Sequence, residues 1–362
     1  MIEKLSKVIF LLACSIPVLA QNSTETEIAS FLDQLTEEDF SGTILVAKND
    51  TVIEERAYGF ASKEFGVKNN IDTKFNVASI TKSFTAVAVL QLYEQGKLDL
   101  HQPIGAYLKE YPNKRISNSV TAHHLLTHTA GTPNFYVTNF LDKNKFKYKK
   151  VKDFVPLFVE DTLLFEPGTE YHYDAAGYVL LGLIIEQLSG KTYYEFLKEN
   201  IFSPAQMTKT AAYEIETIVE NKATGYTLGE NMSGELKKNT RYLSFASPGG
   251  FHYSTVHDLF NFSRALMNYK LLKKETVELM IAPKVQGYNT FLGYGIDVDE
   301  RYPEIILGHS GGFYGMRGEY FYFPDSGYTV TILSNVDTEM DSGTAMVSGF
   351  FKTLIAGKMK KR

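Results

Sequence analysis

The distribution of apolar and β-branched residues predicts strands near both ends of the chain. Four runs have this character: residues 41–46, 51–58, 318–323 and 328–333. Lys48-Asn49-Asp50 separates the first two, and Pro324-Asp325-Ser326-Gly327 separates the last two. The second connection is typical of a tight turn, because Pro fixes φ, Asp bonds to its own backbone and Gly accepts a positive φ. The pattern therefore predicts a hairpin at each end.

Between these strands, apolar residues recur at the spacing of an α-helix. The clearest helix starts at Ser79 and continues until Gly96 ends it. Shorter helices are predicted at 27–35, 178–188, 193–199 and about 343–356. Strands at both ends with helices between them predict an α/β fold of the α+β type. We expect an antiparallel sheet built from the N- and C-terminal strands and flanked by helices, with a mostly helical inserted subdomain.

The first twenty residues predict a secretory signal peptide. Lys4 and Lys7 precede a short apolar run, and Val18-Leu19-Ala20 offers a small residue at a cleavage site. An alternative is a lipoprotein anchored through Cys14, because Leu11-Leu12-Ala13-Cys14 resembles a lipobox. We therefore expect a periplasmic or secreted protein, with a signal peptide at 1–20 and one domain at 21–362. Its sheet part is predicted at about 25–75 and 240–362, and its helical part at about 76–239.

Composition narrows the possible chemistry. The 362 residues carry a net charge of only −5, which gives no indication of a nucleic-acid partner. No later segment is long and apolar enough to predict a transmembrane span. Cys14 is the only cysteine, so removal of the leader leaves neither a disulfide nor a thiol nucleophile. An exported enzyme of this composition must use oxygen nucleophiles or a metal.

The stretch Gly308-His309-Ser310-Gly311-Gly312 first suggests Ser310 as a nucleophile. It matches GxSxG, but that elbow requires a helix directly after the serine and a histidine later in the chain. A strand pattern follows instead, and His309 is the last histidine. A chymotrypsin-like alternative pairs it with Thr121-Ala122-His123-His124, yet those domains are all-β and the periodicity here is helical. Ser310 is therefore not predicted to be the nucleophile.

Ser79-Ile80-Thr81-Lys82 offers a better nucleophile. Three residues apart on a helix, the amine of Lys82 can reach the hydroxyl of Ser79. A serine hydroxyl needs a base to take its proton, and a lysine serves when burial depresses its pKa. An isolated SxxK also fits a serine that simply caps an exposed helix, so its surroundings decide between the two interpretations.

Those surroundings resemble the penicillin-recognising serine hydrolases, in the class C β-lactamase-like branch with its DD-peptidases, D-aminopeptidases and esterases. The matching segments occur in family order over nearly all of the mature chain: 75–84, 96–100, 124–131, 165–169, 177–182, Gly249-Gly250 with Ser254-Thr255, and 309–312. The resemblance implies that Ser79 forms an acyl-enzyme and that Lys82 is its base. It implies the corresponding fold and no cofactor.

The family's YxN motif falls on Tyr173-Asp174-Ala175. The resemblance makes Tyr173 a proton shuttle, and Gly177-Tyr178 fixes this register over the rival Tyr171. We expect a phenol beside the Lys82 ammonium to be favoured in its charged form. Ala175 departs from the family asparagine, which bonds the amide of the substrate and helps to hold the lysine. This departure counts against β-lactam and peptide recognition more than against acyl transfer.

His309-Ser310-Gly311 matches the third family motif, KTG or HxG, on a strand that lines the site. The resemblance implies that the N–H groups of Gly312 and Ser79 form an oxyanion hole. With histidine in place of lysine, the site holds a weaker permanent positive charge near neutral pH. This favours esters, or substrates that lack an obligatory carboxylate.

Two other signals are assigned to structure rather than chemistry. His124 and His128 are four residues apart, but no glutamate between them completes a metalloprotease pattern and no third ligand is evident. We expect histidines in a loop beside the cleft, and no metal. The basic run at 142–152 is typical of a solvated edge.

The sequence thus predicts an exported serine hydrolase that acts on ester or amide bonds of small substrates. Esterase or D-amino-acid peptidase activity is favoured over β-lactamase activity, and peptidoglycan fragments are candidate substrates. The alternative is a catalytically silent member of the same fold that binds cell-wall fragments or a protein. Ser79, Lys82 and Tyr173 argue for the enzyme, whereas Ala175 leaves room for the binder.

Overall fold

The computed structural model describes residues 23–135, 140, 143–228, 234–337 and 342–360. The predicted signal peptide, with Cys14, lies outside these residues. Within them, no helix combines the length and the apolar character needed to cross a bilayer.

An eight-stranded antiparallel sheet forms the centre of the fold, in the order β2-β1-β14-β13-β12-β11-β10-β9. Its strands are β1 (Gly42–Lys48), β2 (Thr51–Tyr58), β9 (Val285–Gln286), β10 (Phe291–Leu292), β11 (Asp297–Asp299), β12 (Ile306–Phe313), β13 (Met316–Phe323) and β14 (Tyr328–Ser334). The N-terminal β1 pairs with the C-terminal β14, from Gly42 opposite Ser334 to Lys48 opposite Tyr328. The sheet predicted from the two termini is confirmed.

Among the described residues, three small sheets of short strands lie outside the eight-stranded sheet. β3 (Phe60–Ser62) pairs with β4 (Val67–Lys68), and β5 (Phe75–Asn76) pairs with β8 (Tyr253–Ser254). A three-stranded ribbon contains β15 (Val336–Asp337), β6 (Tyr226–Thr227) and β7 (Lys237–Lys238). The β5–β8 pair lies directly before the SxxK segment, so it fixes where that segment begins relative to the segment 249–254.

Helices cover both faces of the large sheet. They are α1 (23–34), α2 (Thr81–Glu94), α3 (Lys114–Ser119), α4 (Ala122–Leu126), α5 (Ala176–Ser189), α6 (Tyr193–Leu197), α7 (Val256–Met267), α8 (Lys274–Ile281) and α9 (Ser342–Ala356). On one face, α1 and α9 pack with Ile44 and Ile332, whereas the residues next to these on the strands, Leu45 and Leu333, belong to the core that contains α2 and α5. This alternation is what a two-sided sheet requires.

Most predicted elements are found within one or two residues of their expected bounds, but α1 begins at residue 23 rather than 27, and two other helix ends differ in detail. A 3₁₀ turn, Ala78–Ile80, precedes α2, so Ser79 lies just before the regular helix. The helix predicted at 193–199 ends at Leu197 and continues as a wider π-type turn, Lys198–Phe202. α2 is buried on nearly every side, which explains why its sequence is apolar all round.

Candidate active site

The turn that carries Ser79 is held in an unusual backbone conformation. Ala78 has a φ of 42°, a left-handed value that L-residues rarely adopt. Its N–H donates to Asn76 Oδ1 at 2.9 Å, and its carbonyl accepts from the N–H of Phe251 at 3.3 Å. Bonds on both sides of the residue hold this geometry in place. Strain of this kind is found where a fold presents a functional group, and here it presents Ser79 to a cleft.

Ser79 and Lys82 are in direct contact. Lys82 Nζ lies 3.2 Å from Ser79 Oγ and donates to the carbonyl of Gly249 at 2.7 Å. The lysine side chain is only 1% exposed. The SxxK spacing therefore produces the contact that the sequence predicted.

Burial lowers the pKa of Lys82 from 10.5 to about 7, and the nearby Asp174 carboxylate acts in the opposite direction. A large part of the protein therefore carries a neutral amine at neutral pH. A neutral amine can donate to Gly249 and still use its lone pair to accept the proton of Ser79.

The pH dependence of kcat/KM for an ester tests this assignment. We expect kcat/KM to rise with pH through about 7, because only the neutral amine accepts a proton. Asp174→Asn removes the charge that favours the ammonium form, so the rise should move to lower pH. Thermal denaturation of the variant checks that it is folded. A rise that stays in place or moves to higher pH would contradict the assigned coupling.

Tyr173 lies beside both Lys82 and Ser79. Lys82 Nζ is 4.7 Å from the centre of the Tyr173 ring. Burial raises the pKa of Tyr173, and a hydrogen-bonding interaction with Ser79 offsets only part of the effect. The expectation that Lys82 favours a charged phenolate is therefore wrong for this state. A neutral phenol is a proton donor. The hydrogen bond with Ser79, which lowers the pKa of Tyr173, identifies Tyr173 rather than Tyr171 as the tyrosine beside the nucleophile.

Asp174 points away from the cleft into the protein. Its Oδ1 accepts from Gly177 N–H at 2.6 Å and from Thr132 Oγ1 at 3.0 Å. His128 lies behind Tyr173 with ring centres 4.4 Å apart, and its Nδ1 accepts from the Asp174 N–H at 3.3 Å. Burial lowers the pKa of His128, so this imidazole is neutral. Asp174 thus anchors the start of α5, where Tyr173 and Ala175 flank it.

Near its end, β12 alternates between buried and exposed residues. Ser310 and Gly312 are exposed, whereas His309 is buried. Gly311 packs against the Ser79 turn so closely that a Cβ would lie 2.2 Å from the Val77 carbonyl and 3.1 Å from Ser79 N. Only glycine permits this approach of strand to turn.

His309 contributes no positive charge near neutral pH. Burial, reinforced by Lys82, lowers the pKa of His309 to about 3, and its Nδ1 lies 2.5 Å from the Ser310 carbonyl. The sequence suggested a weaker charge than lysine would supply, and the structure has a neutral imidazole.

Two cavities meet at these residues. The larger, about 450 Å³, runs along β12, and the smaller, about 220 Å³, extends towards Gly249. Ser79, Tyr173 and Gly312 line both. Lys82 lines the smaller cavity, and His309 and Ser310 line the larger. The structure therefore brings the predicted residues together around one cleft.

Comparison with known proteins identifies the family of this chain. The sequence model of the family described as Beta-lactamase matches residues 28–347. The chain belongs to the β-lactamase family. Among its relatives is Penicillin-binding protein 4* of Bacillus subtilis, 29% identical over 323 residues, which are 85% of this chain and 71% of that protein.

Two solved structures illustrate the shared fold. A penicillin binding protein from Bacillus halodurans superposes with a TM-score of 0.77 at 30% identity, covering 86% of this chain and 96% of that chain. D-amino acid amidase from Ochrobactrum anthropi SV3, in complex with D-phenylalanine, has a TM-score of 0.76 at 23% identity and covers 92% and 99% of the respective chains. The second likeness concerns the fold alone.

Asn134 is a cleft residue that the sequence analysis missed. It lines the smaller cavity together with Ala175, and its Oδ1 is buried with no hydrogen-bond partner in the described structure. An unpaired buried acceptor is costly unless a ligand bonds it. The only available signal was its position, three residues after the family segment that ends at Gly131.

Asn134→Ala tests this acceptor. We expect kcat/KM for an amide-containing substrate to fall by about 5- to 10-fold, the value of one hydrogen bond, and kcat/KM for a simple acetate ester to change little. Asn289→Ala, an exposed residue of the larger cavity, serves as the matched control. Equal losses on both substrates would show that Asn134 does not act on the amide.

The two discounted histidines have separate environments. His124 Nδ1 accepts from the Thr121 N–H at 3.3 Å, within the capping box of α4, whereas His128 packs against Tyr173. In the described part of the chain, no group of three or more His, Cys, Asp or Glu residues is arranged to hold a metal. His128 nevertheless supports the cleft more directly than the sequence suggested.

Proposed function

We propose that this member of the β-lactamase family is an exported serine hydrolase that acts through an acyl-enzyme on ester or amide bonds of small substrates. The observation that carries the proposal is the 3.2 Å contact between Ser79 Oγ and the buried amine of Lys82, whose pKa is lowered to about 7. A base poised near neutral pH beside a serine hydroxyl is what nucleophilic catalysis requires.

Acylation would begin with transfer of the Ser79 proton to the neutral Lys82. Ser79 Oγ then bonds to the substrate carbonyl carbon, and the carbonyl oxygen takes the negative charge. The N–H groups of Ser79 and Gly312 are the proposed donors to this oxyanion. Gly311 supports this role because it lets the strand approach the Ser79 turn closely.

Collapse of the intermediate requires a proton for the leaving group. Tyr173 is the proposed shuttle: its neutral phenol donates to the leaving alkoxide or amine and regains a proton from the Lys82 ammonium. The acyl bond to Ser79 then remains. A water molecule, deprotonated by the same groups, attacks that ester and releases the acid and the serine hydroxyl.

The substrates we favour are esters and small peptides with D-residues rather than β-lactams. Ala175 lacks the amide of the family motif, and neutral His309 lacks a charge for a substrate carboxylate. Asn134 supplies one amide on the same side as Ala175, which keeps amide substrates within the proposal. The fold is shared with an enzyme named D-amino acid amidase.

A second candidate is a catalytically silent protein that binds cell-wall fragments or a protein partner in the same cleft. The observation that favours it is Ala175, which removes a side chain that the family uses for substrate. Under this hypothesis Ser79 and Lys82 would remain in contact without turning over a substrate.

A substrate panel separates the two candidates. Nitrophenyl esters, a chromogenic cephalosporin and D-alanyl dipeptides are tested with the wild-type protein and with Ser79→Ala. The proposal predicts turnover of an ester or dipeptide that is lost in Ser79→Ala, with cephalosporin the poorest substrate. Turnover of none, together with tight binding to peptidoglycan, would favour the binder.

A further inference from the structure

The larger cavity extends from the cleft to a carboxylate with no assigned role. Asp297 is the first residue of β11 and lies opposite Gly308 on β12. Pairing between β11 and β12 covers only Ile306 to Gly308. Beyond Gly308, the edge that continues to Gly312 is not covered by β11, and Asp297 lies where this open edge begins. Asp297, Ser79 and Tyr173 line the same cavity of about 450 Å³.

The other charged side chains of this cavity are already paired. Arg301 donates two hydrogen bonds to the Asp299 carboxylate, at 2.8 and 2.7 Å. Lys352 Nζ donates to Glu319 at 2.9 Å, and Ser348 donates to the same oxygen at 2.8 Å. Three carboxylates thus face two cations around the cavity.

Asp297 is the carboxylate left over. Within the described residues its side chain makes no hydrogen bond or ion pair, and it remains partly open to the cavity. Burial raises the pKa of Asp297 to about 7, and the positive charge of the nearby Lys352 offsets only part of this effect. A cation bound beside it would relieve this penalty.

The remaining lining suits a cation as well. His309 is neutral and offers no competing positive charge. Tyr171 and Tyr288, which also line the cavity, meet edge to face with ring centres 5.1 Å apart. Aromatic faces attract ammonium groups.

We propose that Asp297 binds an ammonium group of the substrate, so that the cleft selects esters or amides that carry a protonated amine near the scissile bond. This inference rests on the proposed hydrolase function and names its substrate class. Asp297 would be a specificity-determining residue, with no part in the covalent steps. In relatives with the KTG motif, a lysine at this site suits a negatively charged substrate. Here the site would recognise a positively charged substrate.

Matched p-nitroanilides test the proposal. D-alanine p-nitroanilide is compared with its N-acetyl form, and D-lysine p-nitroanilide with its Nε-acetyl form, to distinguish an α-amine from a side-chain amine. The variant is Asp297→Asn, which keeps the shape and removes the charge. Asp325→Asn, exposed in the β13–β14 turn at the far end of the hairpin, makes the same change of net charge.

In at least one pair, we expect wild type and Asp325→Asn to favour the member with the free amine over its acetylated form by about 10-fold in kcat/KM, as for a partly buried charge pair. Asp297→Asn should lose this preference and keep its rate on the acetylated member of that pair within about 3-fold. A preference that survives in Asp297→Asn, or wild-type rates that are equal within both pairs, would overturn the proposal.

Calorimetry gives a readout that does not depend on turnover. Wild type should bind 2-phenylethylammonium about 10-fold more tightly than 2-phenylethanol, and Asp297→Asn should bind the two equally. If no substrate is hydrolysed but this difference is found, the hydrolase function fails and the cation site stands. If esters are hydrolysed but no difference is found, the cation site fails alone.

Discussion

Ser79→Ala is expected to lower kcat/KM on the best ester by about 10⁴-fold or more, because among the described residues Ser79 is the serine of the cleft whose hydroxyl contacts a buried amine. The alanine variant should remain folded, since the Ser79 hydroxyl contacts only groups of the cleft. Initial rates with wild type and variant, prepared in parallel, measure the loss.

Ser310→Ala is the matched control for this loss. Ser310 occupies the GxSxG-like segment that first suggested a nucleophile, and its side chain lines the same cleft. No lysine in the described part of the chain hydrogen-bonds to the Ser310 hydroxyl, so its variant should keep at least about a tenth of wild-type activity, as expected when one binding contact is lost. If Ser310→Ala were inactive and Ser79→Ala active, the assignment of the nucleophile would be reversed.

Lys82→Met is expected to lower kcat/KM by about 10³-fold while making the protein more stable near neutral pH. The activity falls because Ser79 loses its base. The stability rises because folding drives the pKa of Lys82 from 10.5 down to about 7. Below pH 7 the folded protein must hold a buried ammonium, a penalty of up to about 5 kcal/mol.

The sign of this stability change depends on pH. Between about pH 7 and 10.5 the unfolded chain binds more protons at Lys82 than the folded protein, so wild-type stability rises with pH across this range. The advantage of Lys82→Met should therefore be greatest near pH 6 and shrink towards pH 10. Loss of the bond to Gly249 leaves a net gain of about 1–3 kcal/mol near pH 6.

Urea denaturation of both proteins at several pH values measures this gain. Lys82→Gln, which restores a donor for Gly249 without a titrating amine, separates the charge effect from the lost hydrogen bond. A Lys82→Met protein that is less stable than wild type at pH 6 would show that the amine is not held under penalty. It would also remove the argument that Lys82 is a base at neutral pH.

The parts of the fold that the sequence predicted are those with local causes. The hairpin of β13 and β14 follows from a Pro-Asp-Ser-Gly turn, and α2 follows from sustained apolar spacing. The 3₁₀ turn before α2 was not predicted, because it depends on Asn76 and on Phe251, which is remote in sequence. A contact of that kind leaves no periodic signal.

The same distinction applies to the candidate site. Ser79, Lys82 and Tyr173 lie in motifs, so the sequence could select them, and their contacts agree with the selection. The charge state of Tyr173 was predicted incorrectly because burial, which is a tertiary property, outweighs the nearby lysine. Asn134 and Asp297 were missed because their interest lies in a side-chain oxygen with no hydrogen-bond partner among the described residues, and only the packed structure reveals this.

The most direct measurement is covalent labelling with a fluorophosphonate, followed by intact-mass analysis and peptide mapping. The proposed mechanism predicts one adduct per chain, on Ser79, with labelling that becomes faster as pH rises through about 7. Folded protein that stays unlabelled, or an adduct on Ser310 instead, would contradict the claim that the buried amine at position 82 activates the hydroxyl at position 79.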